Sequence, residues 1–336
     1  MSLIRGLLSR VAKAVREPML GNGLLRRNRM RAASTLALLA LMPLLAGCQV
    51  ALLDPKGPIG DDEKWLMLVA TGLMLIVVIP VILMTLWFAW RYRASNTAAT
   101  YRPNWEHSTR IELVVWLVPC MIIIALGTLT WIYSHRLDPY RPIASSEKPL
   151  EVQVVSLDWK WLFIYPEQGV ATVNELAMPV NRPVHFNITS SGVMNAFFIP
   201  DLGSMIYSMA GMNTQLSLLA DEVGTYRGIS ANYSGAGFSG MHFETKVLDA
   251  ADFDKWIEDV RSSQGKLDLA TYQQLVKPSE NNPVTFYASV APSMFHDILN
   301  KCTDGSVCTD AAMNMAMAKE LGSGGPLCTP ENPKGL

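Results

Sequence analysis

The sequence predicts a membrane protein: a two-helix transmembrane hairpin carrying an exported β-barrel or β-sandwich with a short helical C-terminal extension. Three observations predict it. Two long apolar runs, Trp65–Trp90 and Leu113–Ser134, contain no charged residue. A basic stretch precedes a shorter apolar run that ends in Leu45-Ala46-Gly47-Cys48. From Leu150 onward, short β-branched and aromatic runs are separated by Gly, Pro, Asn and Asp, the pattern of successive strands and turns. Of the 336 residues 17% are charged, against about 25% in a soluble chain. That balance excludes a disordered chain and argues against a wholly soluble one. A formal net charge of −1 leaves no basic footprint for nucleic acid.

Residues 1–47 read as a lipoprotein signal peptide. Arg26, Arg27, Arg29 and Arg31 lead into Ala32–Ala46, too short for a span that needs about 20 residues but suited to a secretory signal core. Small residues ahead of Cys48 let a signal peptidase reach the backbone, and the Cys48 thiol is the expected lipid-attachment atom. Small residues also mark ordinary cleavage sites. Met30 offers a second start that leaves a more compact signal.

Residues 48–64 form the exported N-terminus, and residues 65–90 the first transmembrane helix. Residues 91–110 are a loop, residues 111–134 the second helix, and residues 135–149 a linker. At about 1.5 Å per residue the two apolar runs reach roughly 39 and 33 Å, enough for a hydrocarbon core of about 30 Å. Trp65, Trp87, Trp90, Trp116, Trp131 and Tyr133 sit near the ends, as interfacial aromatics do. Pro80 and Pro119 are tolerated with a kink. The loop holds Arg91, Arg93, Arg102 and Arg110, so the positive-inside rule places it in the cytoplasm and both ends of the hairpin outside.

Residues 150–250 are the exported β-domain. Strands are expected at Leu150–Ser156, Trp159–Ile164, Val184–Thr189, Thr214–Leu219, Thr225–Ile229 and His242–Val247. Residues 251–336 form a helical extension and tail. Phe253, Trp256, Ile257 and Val260 recur at helical spacing, and a second short helix is expected over Leu267–Val276. The tail from Asn281 is rich in Pro and Gly and carries no clear pattern.

Three stretches carry a resemblance. Asp158–Ser190 (DWKWLFIYPEQGVATVNELAMPVNRPVHFNITS), Gly192–Met212 (GVMNAFFIPDLGSMIYSMAGM) and Gly224–Phe243 (GTYRGISANYSGAGFSGMHF) resemble subunit II of the haem-copper terminal oxidases over roughly residues 60–250. The resemblance implies a cupredoxin-like exported barrel. In the cytochrome c oxidase branch that barrel holds a dinuclear copper centre, with a His ahead of Pro-x-Leu-Gly and then Cys-x-Glu-x-Cys-x-x-x-His-x-x-Met. Here the first His position is Asn195, the Cys positions are Ser230 and Ser234, the Glu position is Asn232, and the second His position is Phe238; Met241 alone remains. Copper cycling between two oxidation states needs soft thiolates and imidazoles, and neither serine nor phenylalanine supplies them. No metal is therefore expected in this chain.

The pattern resembles the quinol oxidase branch, cytochrome bo type. There a lipid-soluble ubiquinol is oxidised in subunit I, which would hold the haems and copper. The implied partners are subunits I, III and IV and membrane lipid, and the implied location is the bacterial inner membrane. The resemblance also places Glu112, at the cytoplasmic start of the second helix, near a proton path into subunit I; a helix dipole favours a carboxylate there in any case. Trp159 and Trp161 belong to an aromatic motif that serves electron transfer in the copper branch and barrel packing here. The rival reading is a membrane-tethered copper electron-transfer subunit of a cytochrome c oxidase; a free-standing lipoprotein is a third.

The other candidates are weaker. His107, His135, His185, His242 and His296 do not form a three-ligand pattern. The methionines at 313, 315 and 317 read as apolar filler rather than a Cu(I) site. Cys120 is a small apolar helix residue. Cys302, Cys308 and Cys328 allow one bridge and one free thiol in an oxidising compartment.

Overall fold

The computed structural model describes residues 51–100 and 104–320. The signal peptide, Cys48 and Cys328 lie outside the described residues. Helix α1 runs Pro58–Arg91 and helix α2 Thr109–Arg136. The first begins seven residues ahead of its uncharged run, because Pro58 at the first turn presets helical φ and Asp61 complements the helix dipole. Neither helix has an apolar stripe on one side only, and no residue in the most apolar stretch of either is buried by the rest of the chain. Such an all-round apolar helix is solvated by lipid or by other membrane helices. The two helices touch where Trp65 stacks on Tyr133 at 5.4 Å and Arg136 Nε meets Asp62 Oδ2 at 2.7 Å.

The β-domain is two facing sheets. Strands β1 (Leu150–Leu157), β2 (Lys160–Tyr165), β3 (Val170–Val173), β4 (Glu175–Pro179) and β5 (Val184–Ser190) are followed by β6 (Asn195–Ile199), β7 (Gly203–Ser208), β8 (Thr214–Leu218), β9 (Gly224–Ser230) and β10 (His242–Leu248). A further strand, β12 (Thr285–Tyr287), joins from the extension, and the short β11 (Lys266–Leu267) and β13 (Ser289–Val290) pair with each other. One sheet is ordered β12-β3-β2-β1-β5-β8 and the other β4-β10-β9-β6-β7. The pairs β1/β5 and β4/β10 are parallel, so the chain crosses between sheets rather than meandering. The domain is cupredoxin-like.

Between the sheets lie Trp161, Phe163, Phe186, Phe197 and Phe243, with Phe197 stacked on Phe243 at 5.3 Å. A Cβ on Gly228 would stand 2.0 Å from the Phe243 ring, so only glycine fits there. Trp159 is not a strand residue as expected: its φ of 63° turns the β1–β2 hairpin, and β2 starts one residue later.

Strand β2 is buried at every position because both faces of its sheet are covered. Helix α3 (Ala250–Arg261) turns Phe253, Trp256, Ile257 and Val260 into the inner core. Helix α4 (Leu269–Leu275) forms where the second short helix is expected, within Leu267–Val276, whereas α5 (Met294–Leu299) and α6 (Thr309–Glu320) belong to the tail from Asn281, whose sequence carries no clear pattern. Tyr272, Tyr287, Met294, Phe295 and Ile298 cover the outward residues Val155, Leu157, Leu162 and Ile164. The extension is thus a second wall of the barrel, with three short strands of its own, and not helical alone. Lys160 Nζ, buried, donates to the carbonyl of Lys277 at 2.8 Å; its pKa is pushed down by desolvation.

Candidate functional site

Positions 195, 230, 232, 234, 238 and 241, which the family pattern singles out, lie together at one end of the second sheet. Asn195 opens β6 and Ser230 ends β9. The loop between Ser230 and β10 carries Asn232, Ser234 and Phe238 and returns to Met241. Backbone pairing of Ser230 N–H with Met241 C=O at 3.3 Å closes the loop at its base.

Each of these side chains has a partner within the protein. Ser230 Oγ donates to Asn195 Oδ1 at 3.0 Å, and both residues are buried. Asn195 Nδ2 donates to the Val193 carbonyl at 3.1 Å, and Asn232 Nδ2 to the Met194 carbonyl at 3.1 Å. Ser234 Oγ lies 4.0 Å from Met241 Sδ. Phe238 packs edge-on against Tyr233 at 5.5 Å. The set offers hydroxyls, amides and one thioether, with no thiolate and no imidazole among these six side chains. This donor set does not fit a redox copper pair. His185 faces Ser217 on another sheet and His242 points outward.

Trp159 holds the loop from below, and no periodicity announces it. Its Nε1–H donates to the Ser234 carbonyl at 3.2 Å. Its ring lies against Gly235, at φ +114°, and Gly237, where a Cβ would come within 2.5 Å of the indole. A turn residue at positive φ is the device that turns this indole under the loop. Trp161 is core, at 0% exposure.

Glu112 stands in the first turn of α2, exposed, with His107 Nδ1 2.6 Å from its Oε1. His107 Nε2 in turn lies 3.1 Å from Thr109 Oγ1. Glu112 therefore belongs to a small polar group at the end of the hairpin away from the barrel, next to loop residues 104–108.

The opposite end of the hairpin is joined to the barrel. Lys56 N–H donates to the Asp201 carbonyl at 2.6 Å and Lys56 C=O accepts from Asp221 N–H at 2.9 Å. Lys56 Nζ contacts Glu222 at 3.0 Å and Asp54 at 3.2 Å, which together raise its pKa. Ser204 Oγ donates to Glu63 Oε1 at 2.7 Å. Gly203, at φ +131°, lets β7 pass so close that a Cβ would meet Ile59 at 2.7 Å, and a Cβ on Gly57 would meet the Leu219 carbonyl at 2.1 Å.

Of the cysteines, Cys302 and Cys308 form a disulfide, and Cys120 is free on an exposed helix face.

Residues 123–248 match the family model described as cytochrome c oxidase subunit II, periplasmic domain. Residues 261–306 match the COX aromatic rich motif. The chain is 60% identical over 77% of its length to the cytochrome bo(3) ubiquinol oxidase subunit 2 of Pseudomonas putida, covering 83% of that protein. It is 60% identical over 78% of its length to the protein of the same name from Pseudomonas aeruginosa, covering 80% of it. Ubiquinol oxidase subunit 2 of Acetobacter aceti is 56% identical over 82% of this chain and 91% of its own.

Proposed function

The chain belongs to the subunit II family of the cytochrome bo ubiquinol oxidases, and on that premise we propose that it is a copper-free, non-catalytic subunit of a proton-translocating quinol oxidase. The observation that carries the reading is the donor set at residues 195, 230, 234 and 238: amide, hydroxyl, hydroxyl and phenyl ring. A quinol dissolved in the membrane reaches a membrane-embedded active site directly, so an exported copper relay has nothing to pass on. Haems, copper and ubiquinol are then held by subunit I, where O₂ is reduced to water. Subunits III and IV complete the complex.

This chain's part is anchorage and shape. Two lipid-length helices hold it in the inner membrane, the barrel and both ends of the hairpin facing the periplasm and the 91–110 loop facing the cytoplasm. Cys48 carries a lipid as a third attachment. Glu112, with His107 beside it, feeds protons toward subunit I from the cytoplasmic face.

Metal analysis of the purified complex tests the reading. We expect only the copper assigned to subunit I, in fixed ratio to haem. Copper in excess of that ratio, lost when Ser230, Ser234 or Met241 is replaced, would favour the copper-relay alternative.

A further inference from the structure

The segment from α5 to the start of α6 brings four metal-ligating side chains together, outside the 230–241 loop. His296 and Asp297 sit on α5, and Cys302 and Cys308 flank the short turn that follows. One donor atom from each lies within 4.8 Å of the others. The backbone sets this up: Cys302 N–H donates to the Asp297 carbonyl at 2.9 Å, and Thr309 N–H donates to the Asn300 carbonyl at 2.9 Å. Lys301 takes φ 55° to reverse the chain between them.

The orientation of the ligands is already set. His296 Nε2 lies 2.9 Å from Asp310 Oδ2, which leaves Nδ1 on the side of Asp297, 3.3 Å from Oδ1. A carboxylate behind the far nitrogen is how metal-bound histidines are commonly aimed. Ser293 Oγ donates to Asp297 Oδ2 at 2.7 Å, fixing that carboxylate while Oδ1 stays 3.9 Å from Cys302 Sγ. Cys302 is buried and His296 is at the surface, so an ion has a way in. Two sulfurs, one imidazole and one carboxylate make a tetrahedral Zn²⁺ set, whose donors stand about 3.3–3.8 Å apart when bonds are about 2.0–2.3 Å. The carboxylate and imidazole are within reach of that spacing. Only the two sulfurs, bonded to each other, are too close.

We propose that Cys302 and Cys308 form a thiol–disulfide switch that, when reduced, binds a zinc-class divalent cation through both sulfurs, His296 Nδ1 and Asp297. The chemistry balances with an exported dithiol as reductant. Two electrons and two protons pass from the dithiol to the Cys302–Cys308 bond, giving two thiols and leaving the reductant as a disulfide. Binding of the cation then displaces both thiol protons to solvent. Reoxidation by a disulfide oxidant returns the bridge and releases the ion. Either state ties the end of α5 to the start of α6, once by a covalent bond and once by a coordinated ion.

The test uses the full chain in its complex, in a Cys328→Ser background, with Zn²⁺ and Co²⁺ as probes. Samples are compared oxidised and after reduction with a phosphine, followed by removal of free metal. We expect reduced protein to retain one more zinc per chain than oxidised protein, and reduced protein with Co²⁺ to show thiolate-to-cobalt absorption. His296→Ala, which leaves both cysteines in place, should weaken zinc retention by about tenfold or more. Equal zinc in the oxidised and reduced samples would overturn the proposal. So would a gain on reduction that His296→Ala leaves untouched, or that persists when Cys302 and Cys308 are both serine.

Discussion

The Ser230 hydroxyl donates to the Asn195 side-chain carbonyl across 3.0 Å, joining the ends of β9 and β6. A buried serine–asparagine pair supplies each group with a neutral partner and needs no ion. The domain from about Pro149 to Leu336 is therefore expected to fold and stay folded without metal, and to hold no copper after dialysis against chelator. Ser230→Ala should lower stability by roughly 1 kcal/mol and leave the metal content unchanged. Elemental analysis and urea unfolding of both proteins check this, and stoichiometric copper in the parent would contradict it.

Tyr165 makes a second buried closure. Its hydroxyl donates to the Ala177 carbonyl and accepts from the Ala177 N–H, both at 2.9 Å. Tyr165→Phe leaves two backbone groups of β4 unpaired, at a cost of roughly 1–3 kcal/mol for each buried group. Urea midpoints of the two proteins measure the loss.

The same residue sets an alkaline limit. Burial holds the Tyr165 pKa well above the ordinary value of 10.0, and burial raises that of Tyr272 as well. The folded state then keeps a proton that the unfolded chain gives up. This contribution is intact below about pH 10 and falls as pH climbs beyond it. Phenolate absorbance from these residues should appear together with loss of near-UV dichroism; phenolate formation in a still-folded domain would contradict the assignment.

Glu112 and His107, 2.6 Å apart, are tested by Glu112→Gln. The amide keeps size and hydrogen bonding but cannot release a proton. If the pair feeds protons inward, turnover per haem should fall by about tenfold or more, with haem content and subunit ratio intact. Glu112→Asp should recover much of the rate. Full turnover in a fully assembled Gln variant would assign Glu112 to the helix start alone.

Cys48→Ser should lose lipid label yet remain in the membrane with most of its oxidase activity. Two spans already anchor the chain, and a single acyl chain gives only marginal, reversible binding by comparison. Membrane fractionation with radiolabelled fatty acid reads both outcomes, and release of the variant into the soluble fraction would contradict the two-span anchorage.

The hairpin was legible from sequence because Trp65–Trp90 carries no charge and the alternative of a soluble helix demands a polar face. The identities at 195, 230, 234 and 238 were legible through motif spacing. What lay hidden was set by contacts distant in sequence. Strands β3 and β4 are short and separated only by Asn174, whose φ of 58° breaks them apart, so neither shows an alternation of its own. Strand β12 exists because Thr285 pairs with Val173, a partner no local pattern can announce. Trp159 carried the residue type of a strand, yet positive φ turned it into the support beneath the Ser234 loop.

The glycine-lined seat of Ile59 against Gly203, and of Gly57 against Leu219, has a mechanical consequence. A joint closed at van der Waals distance has no slack, whereas the thirteen residues from Leu137 to Pro149 form an irregular tether. The barrel is thus mounted on one post and moored by the other. Helix α1 is about 51 Å long at 1.5 Å per residue. Any lean of that post in the bilayer swings the barrel through a proportionate arc over the membrane surface, so the tilt of α1 decides where the barrel points.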